Sequence, residues 1–337
     1  ARLEIVGTSE NPVYKGAGVV NDNSDPNSIN AVGFQFQDLD YQIDNSIIPL
    51  RQRTSARGES FYINLTYVMW AASIHTSNPQ EYAEFMLAVF QHMQSKYGFV
   101  PNSISVVLES DLGGSAWTPA IIGNNIVATA NKLQANGFAV PDFVIPDVTS
   151  AANLVLWYNQ IKTNVPAAIP YIKELSYHRY DNPSTATIQG IGDLGTAEGK
   201  RTSMLEWWTQ SNTYQTLHED LKAGRNSAWQ LNVFAMLGSG GVWGDGWVQV
   251  VSGVSSVSPQ ARLIRQYTRY IRPGAQRIED TMRAERHPRN RNGAENDSET
   301  DPSRTRRSLD ERAWDEATRP RYRRVAGNVR GLGSLGL

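Results

Sequence analysis

One pattern governs this chain: a short run of β-branched and apolar residues, then an amphipathic stretch of helical period, recurring about every 35 residues. Strand runs are expected at residues 61–68, 103–109, 143–148, 172–178, 202–207 and 228–235. The helical stretches between them have readable ends. Asn78 caps one, with Pro79 in its first position and Glu81 in its third. Tyr82, Phe85, Met86, Val89, Phe90 and Met93 then mark a single buried face, and Gly98 stops it. Thr118-Pro119 opens the next, with Ile122, Ile126, Ala130 and Leu133 on its face and Gly137 at its end. A third covers residues 150–162, and a last one, near 259–271, is closed by Pro273-Gly274.

Strands of this composition, separated by helices, are parallel and covered on their outer face. Six such units are too many for one half of a doubly wound sheet. No strand is followed by a G-x-G-x-x-G or P-loop glycine pattern. The fold class expected is therefore α/β, a closed (β/α)8 TIM barrel. A seventh strand near residues 2–6 leaves the first barrel strand missing, so truncation at the amino end is expected. Ala1 is followed by no charged-then-apolar leader, which fits a removed leader or a start lying upstream.

Charge divides the chain in two. Residues 281–337 hold 13 Arg, no Lys and 9 acids, and only 6 Leu, Ile, Val or Phe among 57 residues. That is too few for a core, and a disordered, solvated tail is expected there. Residues 1–280 form the expected barrel domain, with 19 basic and 24 acidic side chains and eight of the nine Trp. An acidic body argues against a nucleic-acid partner. No apolar run reaches the roughly 20 residues of a membrane span. With no cysteine there is no disulfide, thiol nucleophile or cysteine-held metal.

In a parallel barrel the reactive groups stand at the carboxyl ends of the strands. Strand 103–109 ends in Glu109 and strand 202–207 carries Glu206, with Trp207 and Trp208 beside it. Counting strand 61–68 as the third places Glu109 on the fourth strand and Glu206 on the seventh. Two carboxylates facing one mouth are what glycoside cleavage needs: one gives a proton to the leaving oxygen, the other attacks the anomeric carbon or directs water to it. Glu174, at the start of its strand, reads as structural. His178 reads either as a core histidine or, with Tyr180, as a neighbour of Glu206 that orients it and holds sugar hydroxyls. Asp147 suits a sugar hydroxyl or a helix cap near Ser150 equally well.

Trp70, Trp117, Trp207, Trp243 and Trp247 fall at strand ends or in the loops after them, where indoles stack on sugar rings; Trp157 and Trp229 read as core. The five His show no H-x-x-x-H or H-x-H spacing, so neither metal nor cofactor is expected. The Asn64-Leu65-Thr66 sequon lies inside an expected strand and is discounted.

Val107-Leu108-Glu109-Ser110-Asp111 with Trp117, Ser176-Tyr177-His178-Arg179-Tyr180, and Ser203-Met204-Leu205-Glu206-Trp207 resemble the clan A glycoside hydrolases. Residues 266–274, Gln-Tyr-Thr-Arg-Tyr-Ile-Arg-Pro-Gly, look like the exit from the barrel in family-30-type members. The resemblance covers roughly residues 1–280. It implies a retaining mechanism on a β-linked carbohydrate substrate, with Glu109 as acid/base and Glu206 as nucleophile. The enzyme class suggests a secreted protein. Two departures stand out. Leu108 occupies the place where the clan usually has an Asn that holds the sugar 2-hydroxyl, and no C-terminal β-sandwich follows. Both favour the alternative of a non-catalytic carbohydrate-binding barrel.

Overall fold

The computed structural model describes residues 1–6, 23–29, 34–208, 213–232, 235–237, 246–251 and 253–277. The expected tail, 281–337, and the loop carrying Trp243 lie outside the described residues. The chain separates into two units, Ala1–Gln276 and Arg277–Leu337, and only Arg277 of the second is described.

Seven strands form one parallel sheet in simple chain order: β1 (Arg2–Val6), β2 (Asn64–Val68), β3 (Ser103–Ser105), β4 (Asp142–Val148), β5 (Ile172–His178), β6 (Arg201–Glu206) and β7 (Ala228–Trp229). The helices are α1 (Gln37–Gln42), α2 (Ile48–Ser55), α3 (Ile74–Ser77), α4 (Pro79–Tyr97), α5 (Pro119–Ala135), α6 (Leu154–Asn164), α7 (Thr185–Glu198), α8 (Thr213–Lys222) and α9 (Pro259–Tyr270). The sheet curls: Arg2 at the start of β1 is ion-paired with Glu206 at the end of β6. This is the (β/α) barrel, and no helix among the described residues is long and apolar enough to cross a membrane.

Alternation along each strand divides its residues between two environments. Leu3, Ile5, Leu65, Tyr67, Ile104, Phe143, Ile145, Leu175 and Tyr177 face the helices and join the main core. Tyr82, Phe85, Met86, Val89, Phe90 and Met93 of α4 meet them there, as do Ile122, Ile126, Ala130 and Leu133 of α5. The opposite face of the sheet is polar. Asn64 Nδ2 donates to Ser103 Oγ at 2.9 Å, and Thr66 Oγ1 to Asn64 Oδ1 at 2.7 Å.

The helix ends follow the sequence signals. Asn78 accepts from Gln80 N and Thr118 from Ile121 N, and each helix begins with proline. Gly98 closes α4 at φ 72, the left-handed region that glycine enters without steric cost.

Two expected strands are shorter in the structure. The ladder of 103–109 stops at Ser105, and Glu109 turns into the left-handed region at φ 51. The run 228–235 holds only two paired residues in the barrel sheet; after them Gln230 N donates to Met204 O and Asn232 N to Trp207 O, and the Asn232 side chain bonds to Glu206. Ala235 instead begins a separate three-stranded sheet: β8 (Ala235–Leu237), β9 (Val248–Val251) and β10 (Val254–Val257).

Candidate functional site

At the carboxyl ends of β3 to β6 the backbone departs from regular pairing in three places, and each departure turns a charged side chain toward His178. Glu109 leaves the third strand with positive φ. Asp147 sits where the β4–β5 register slips, between the pairs Pro146↔Ser176 and Val148↔Tyr177. Between β5 and β6, Tyr177 pairs with Met204 and His178 with Glu206, so Leu205 is the extra residue. A one-residue slip reverses the face that a side chain occupies. Met204 faces the core, and strict alternation would send Glu206 there too. The slip sends it to His178 instead.

Glu109, His178 and Glu206 thus converge, each offering one donor atom within 4.8 Å of the others. His178 is fully buried. Its Nδ1 lies 3.2 Å from Glu109 Oε1 and its Nε2 lies 3.1 Å from Asp147 Oδ1. Glu206 Oε1 accepts from Tyr180 Oη at 2.9 Å and from Asn232 Nδ2 at 2.6 Å. Its other oxygen faces the Arg2 guanidinium, the two side chains being 7% and 10% exposed. Arg2 also reaches Glu4 at 3.2 Å.

These contacts divide the charge unequally. Burial alone would raise the Glu206 carboxyl, but the charges of the Arg2 guanidinium and the His178 ring, with the hydrogen bonds that Arg2 and Tyr180 supply, hold it below its ordinary value. Burial would likewise lower His178. The hydrogen bonds and charge of Asp147, with Glu109 and Glu206 adding to them, push it up to about 9. Burial and the Glu206 carboxylate raise the Tyr180 phenol, which remains a donor at any physiological pH. The three converging donors do not form a good cation site. Metal-binding imidazole must be neutral with a bare nitrogen, and both nitrogens of His178 point at carboxylate oxygens.

Of the residues singled out in the sequence, Glu109, Glu206, His178 and Tyr180 come together here. Trp70 is half-buried near them; its indole donates to Leu108 O at 2.8 Å and packs on an apolar patch of Val68 and Leu108. Trp207 is 8% exposed and joins the main core, directly after Glu206.

Two expected sugar platforms lie elsewhere. Trp117 is fully buried, its indole donates to Met69 O, and Tyr67 and Tyr82 stand edge-on to it, so no ring face is left for a ligand. Trp247 packs beside Trp229 in an apolar groove shared with Leu217 of α8 and Ile264 and Tyr267 of α9. Asp147 neither caps the helix after Ser150 nor faces solvent; it is fully buried against His178. Asp111 bonds to Thr149 N and Ser150 N instead. Glu174 is paired with Arg201 at the opposite end of its strand, a structural position.

Arg2, Asn232 and Asp147 extend the site beyond the residues expected to carry it. Two of them left a trace in the sequence: polar Arg2 and Glu4 alternate with apolar Leu3 and Ile5, and Asp147 ends a strand run as a candidate for a sugar hydroxyl or a helix cap.

No protein-family model matches the sequence. No curated protein matches it either. In fold it is similar to SrfJ from Salmonella typhimurium, with a TM-score of 0.56 at 15% identity over 77% of this chain. The chain spans 63% of the length of that protein. A structure of fungal β-1,4-galactanases superposes with a TM-score of 0.46 at 12% identity, covering 69% of this chain and 77% of that one. The catalytic domain of a mannanase from Streptomyces sp. SirexAA-E gives 0.41 at 12% identity, covering 66% and 69%. Both are too loose to carry an argument, and the likeness to SrfJ is one of fold alone.

Proposed function

We propose that this chain is a retaining glycoside hydrolase acting on a β-linked carbohydrate, and that it works through Glu109 and Glu206. The observation that carries the reading is their separation: the nearest carboxylate oxygens lie within 4.8 Å across the barrel mouth. Retaining enzymes keep their carboxyl groups about 5–5.5 Å apart, whereas an inverting pair stands roughly 6.5–9.5 Å apart to admit a water. The short spacing favours direct attack by one carboxylate.

The asymmetry of the contacts assigns the roles. Glu206, paired with Arg2 and bonded by Tyr180 and Asn232, is held ionised and is the nucleophile. Its oxygen bonds to the anomeric carbon as the glycosidic C–O bond breaks, while Glu109 delivers a proton to the departing oxygen. Glu109 then takes a proton from water. The resulting hydroxide bonds to the anomeric carbon, and the ester to Glu206 breaks with its electrons returning to the carboxylate. Proton and bond counts close over the two steps with no external reagent. Tyr180 and Asn232 donate to the oxygen of Glu206 that Arg2 does not face, fixing the rotamer from which attack occurs.

The experiment is Glu206→Gln on an aryl β-glycoside, where turnover should fall by at least a thousandfold. Substantial residual turnover would remove the nucleophile assignment. A second reading, a barrel that binds carbohydrate without cleaving it, is favoured by the apolar patch of Leu108, Val68 and Trp70 beside Glu109, which offers a sugar contact but no hydroxyl partner. Glycan binding with no hydrolysis across a broad aryl-glycoside panel would select it.

A further inference from the structure

We propose that Asp147 is a positioning residue for Glu109: acting through His178, it fixes the acid/base carboxyl over the bond to be cleaved and makes no bond to substrate itself. The proposal rests on the reading of Glu109 as acid/base and adds to it a buried relay.

Three features of Asp147 carry the inference. It is fully buried at the end of β4, yet lies on a strand whose neighbours Phe143 and Ile145 face the helical core. Alternation would place Asp147 with them, and the register slip turns it inward. Its φ of 55 lies in the left-handed region, which non-glycine residues enter rarely, Asp and Asn most often among them. Backbone strain of this kind persists where the surroundings enforce it, and it gathers at functional sites. Finally, its Oδ1 meets His178, while Oδ2 is buried with no hydrogen-bond partner among the described residues. A carboxylate placed so expensively for one contact points to what that contact does.

The contact determines the state of His178. Its two nitrogens face two carboxylate oxygens, Asp147 at 3.1 Å and Glu109 at 3.2 Å. A neutral imidazole donates from one nitrogen only, so the other would turn a lone pair toward an oxygen. Once Glu109 has given up its proton, only the doubly protonated ring satisfies both. The charged and titratable groups facing it are Asp147 from β4, Glu109 after β3, Glu206 from β6 and Tyr180 just after its own strand, with Arg2 of β1 behind Glu206. Asp147 contributes most to holding the charge of the ring, ahead of Glu109 and Glu206. With the Asp147 charge present, Nδ1–H is aimed at Glu109 and stabilises the carboxylate that forms when Glu109 gives up its proton. Without it, the ring reverts to one proton, Nδ1 loses its hydrogen, and Glu109 is released from its rotamer.

Asp147→Asn, which keeps shape and removes charge, tests this in two arms on the full chain. In the first, the ring of His178 is followed by NMR in histidine-labelled protein. The unmodified chain should hold both ring protons up to about pH 9, and the variant should lose one at a pH about 1–3 units lower. In the second, kcat/KM, which reports the step that expels the leaving group, is measured on a phenyl and a 2,4-dinitrophenyl β-glycoside. Phenolate needs protonation to depart and dinitrophenolate does not, so the variant should lose at least tenfold on the first and less than about threefold on the second. Should Asp147→Asn fail to fold, His178→Gln is examined with the same substrate pair. An unmoved His178 titration, or equal losses on both substrates, would overturn the proposal. If the unmodified chain cleaves neither substrate, the hydrolase reading fails by itself, and the NMR arm still decides whether Asp147 governs His178.

Discussion

Arg2 and Glu206 come from strands 204 residues apart in sequence, and their side chains are 10% and 7% exposed. Solvent therefore screens the pair little. In Arg2→Met, the carboxylate of Glu206 keeps Tyr180, Asn232 and the His178 ring but loses its only guanidinium partner among the described residues. Breaking a buried pair from one side costs about 3–5 kcal/mol, because the remaining charge stays desolvated.

The sign of the pH dependence follows from the depressed carboxyl. Glu206 ionises more readily folded than unfolded, so its pairing stabilises the protein above its ordinary value of 4.5. That contribution falls away as pH drops below the lowered folded value. Urea denaturation of Arg2→Met should show the loss of about 3–5 kcal/mol at pH 7, narrowing as pH falls through the lowered folded value of Glu206. In the same variant the acid limb of kcat/KM on an aryl glycoside should move to higher pH, since burial then dominates the nucleophile. A stability loss under about 1 kcal/mol, the scale of an exposed pair, or an acid limb that stays in place, would refute the reasoning.

Tyr180→Phe removes one donor from Glu206; at about 1.5–3 kcal/mol for a hydrogen bond to a charged group, kcat/KM should fall roughly ten- to a hundredfold with the fold intact by circular dichroism. Trp117→Ala should cost about 3–5 kcal/mol in a thermal or urea melt, while glycan affinity of the folded protein stays within about twofold. A large affinity loss without a stability loss would return Trp117 to the binding surface. In Gly192→Ala, the new Cβ would run into Ala223 O where α7 packs on the loop after α8, and the melting temperature should drop by several degrees.

The sequence made the long elements legible because their signals are local. Helix α4 is framed by Asn78-Pro79 and Gly98 and carries a 19-residue apolar period, so its limits could be read to the residue. Helix α5 behaves in the same way behind Thr118-Pro119. The strand-end position of the two glutamates was legible for a similar reason, since each closes an apolar run. What escaped depends on slips and on distance. The left-handed turn at Glu109 shortens its strand to three paired residues, and no composition signal marks it. The extra residue at Leu205 is visible only in how β5 and β6 pair. Asp147 offered a cap or a contact to a sugar hydroxyl in sequence, and only the β4–β5 slip turns it toward His178. Asn232 lies inside what reads as one continuous strand, and its bond to Glu206 is visible only in the fold. Trp117 carried a loop position in sequence but a core position in space, because Tyr67 and Tyr82 close around it.

The account turns on two carboxyl groups standing close enough for one of them to become covalently attached to the sugar. Proton NMR of the first product formed from an aryl β-glycoside reads this directly, before mutarotation blurs the signal. A β-anomer appearing first is the predicted result, the outcome of two successive displacements. An α-anomer appearing first would mean that water, not Glu206, struck the anomeric carbon.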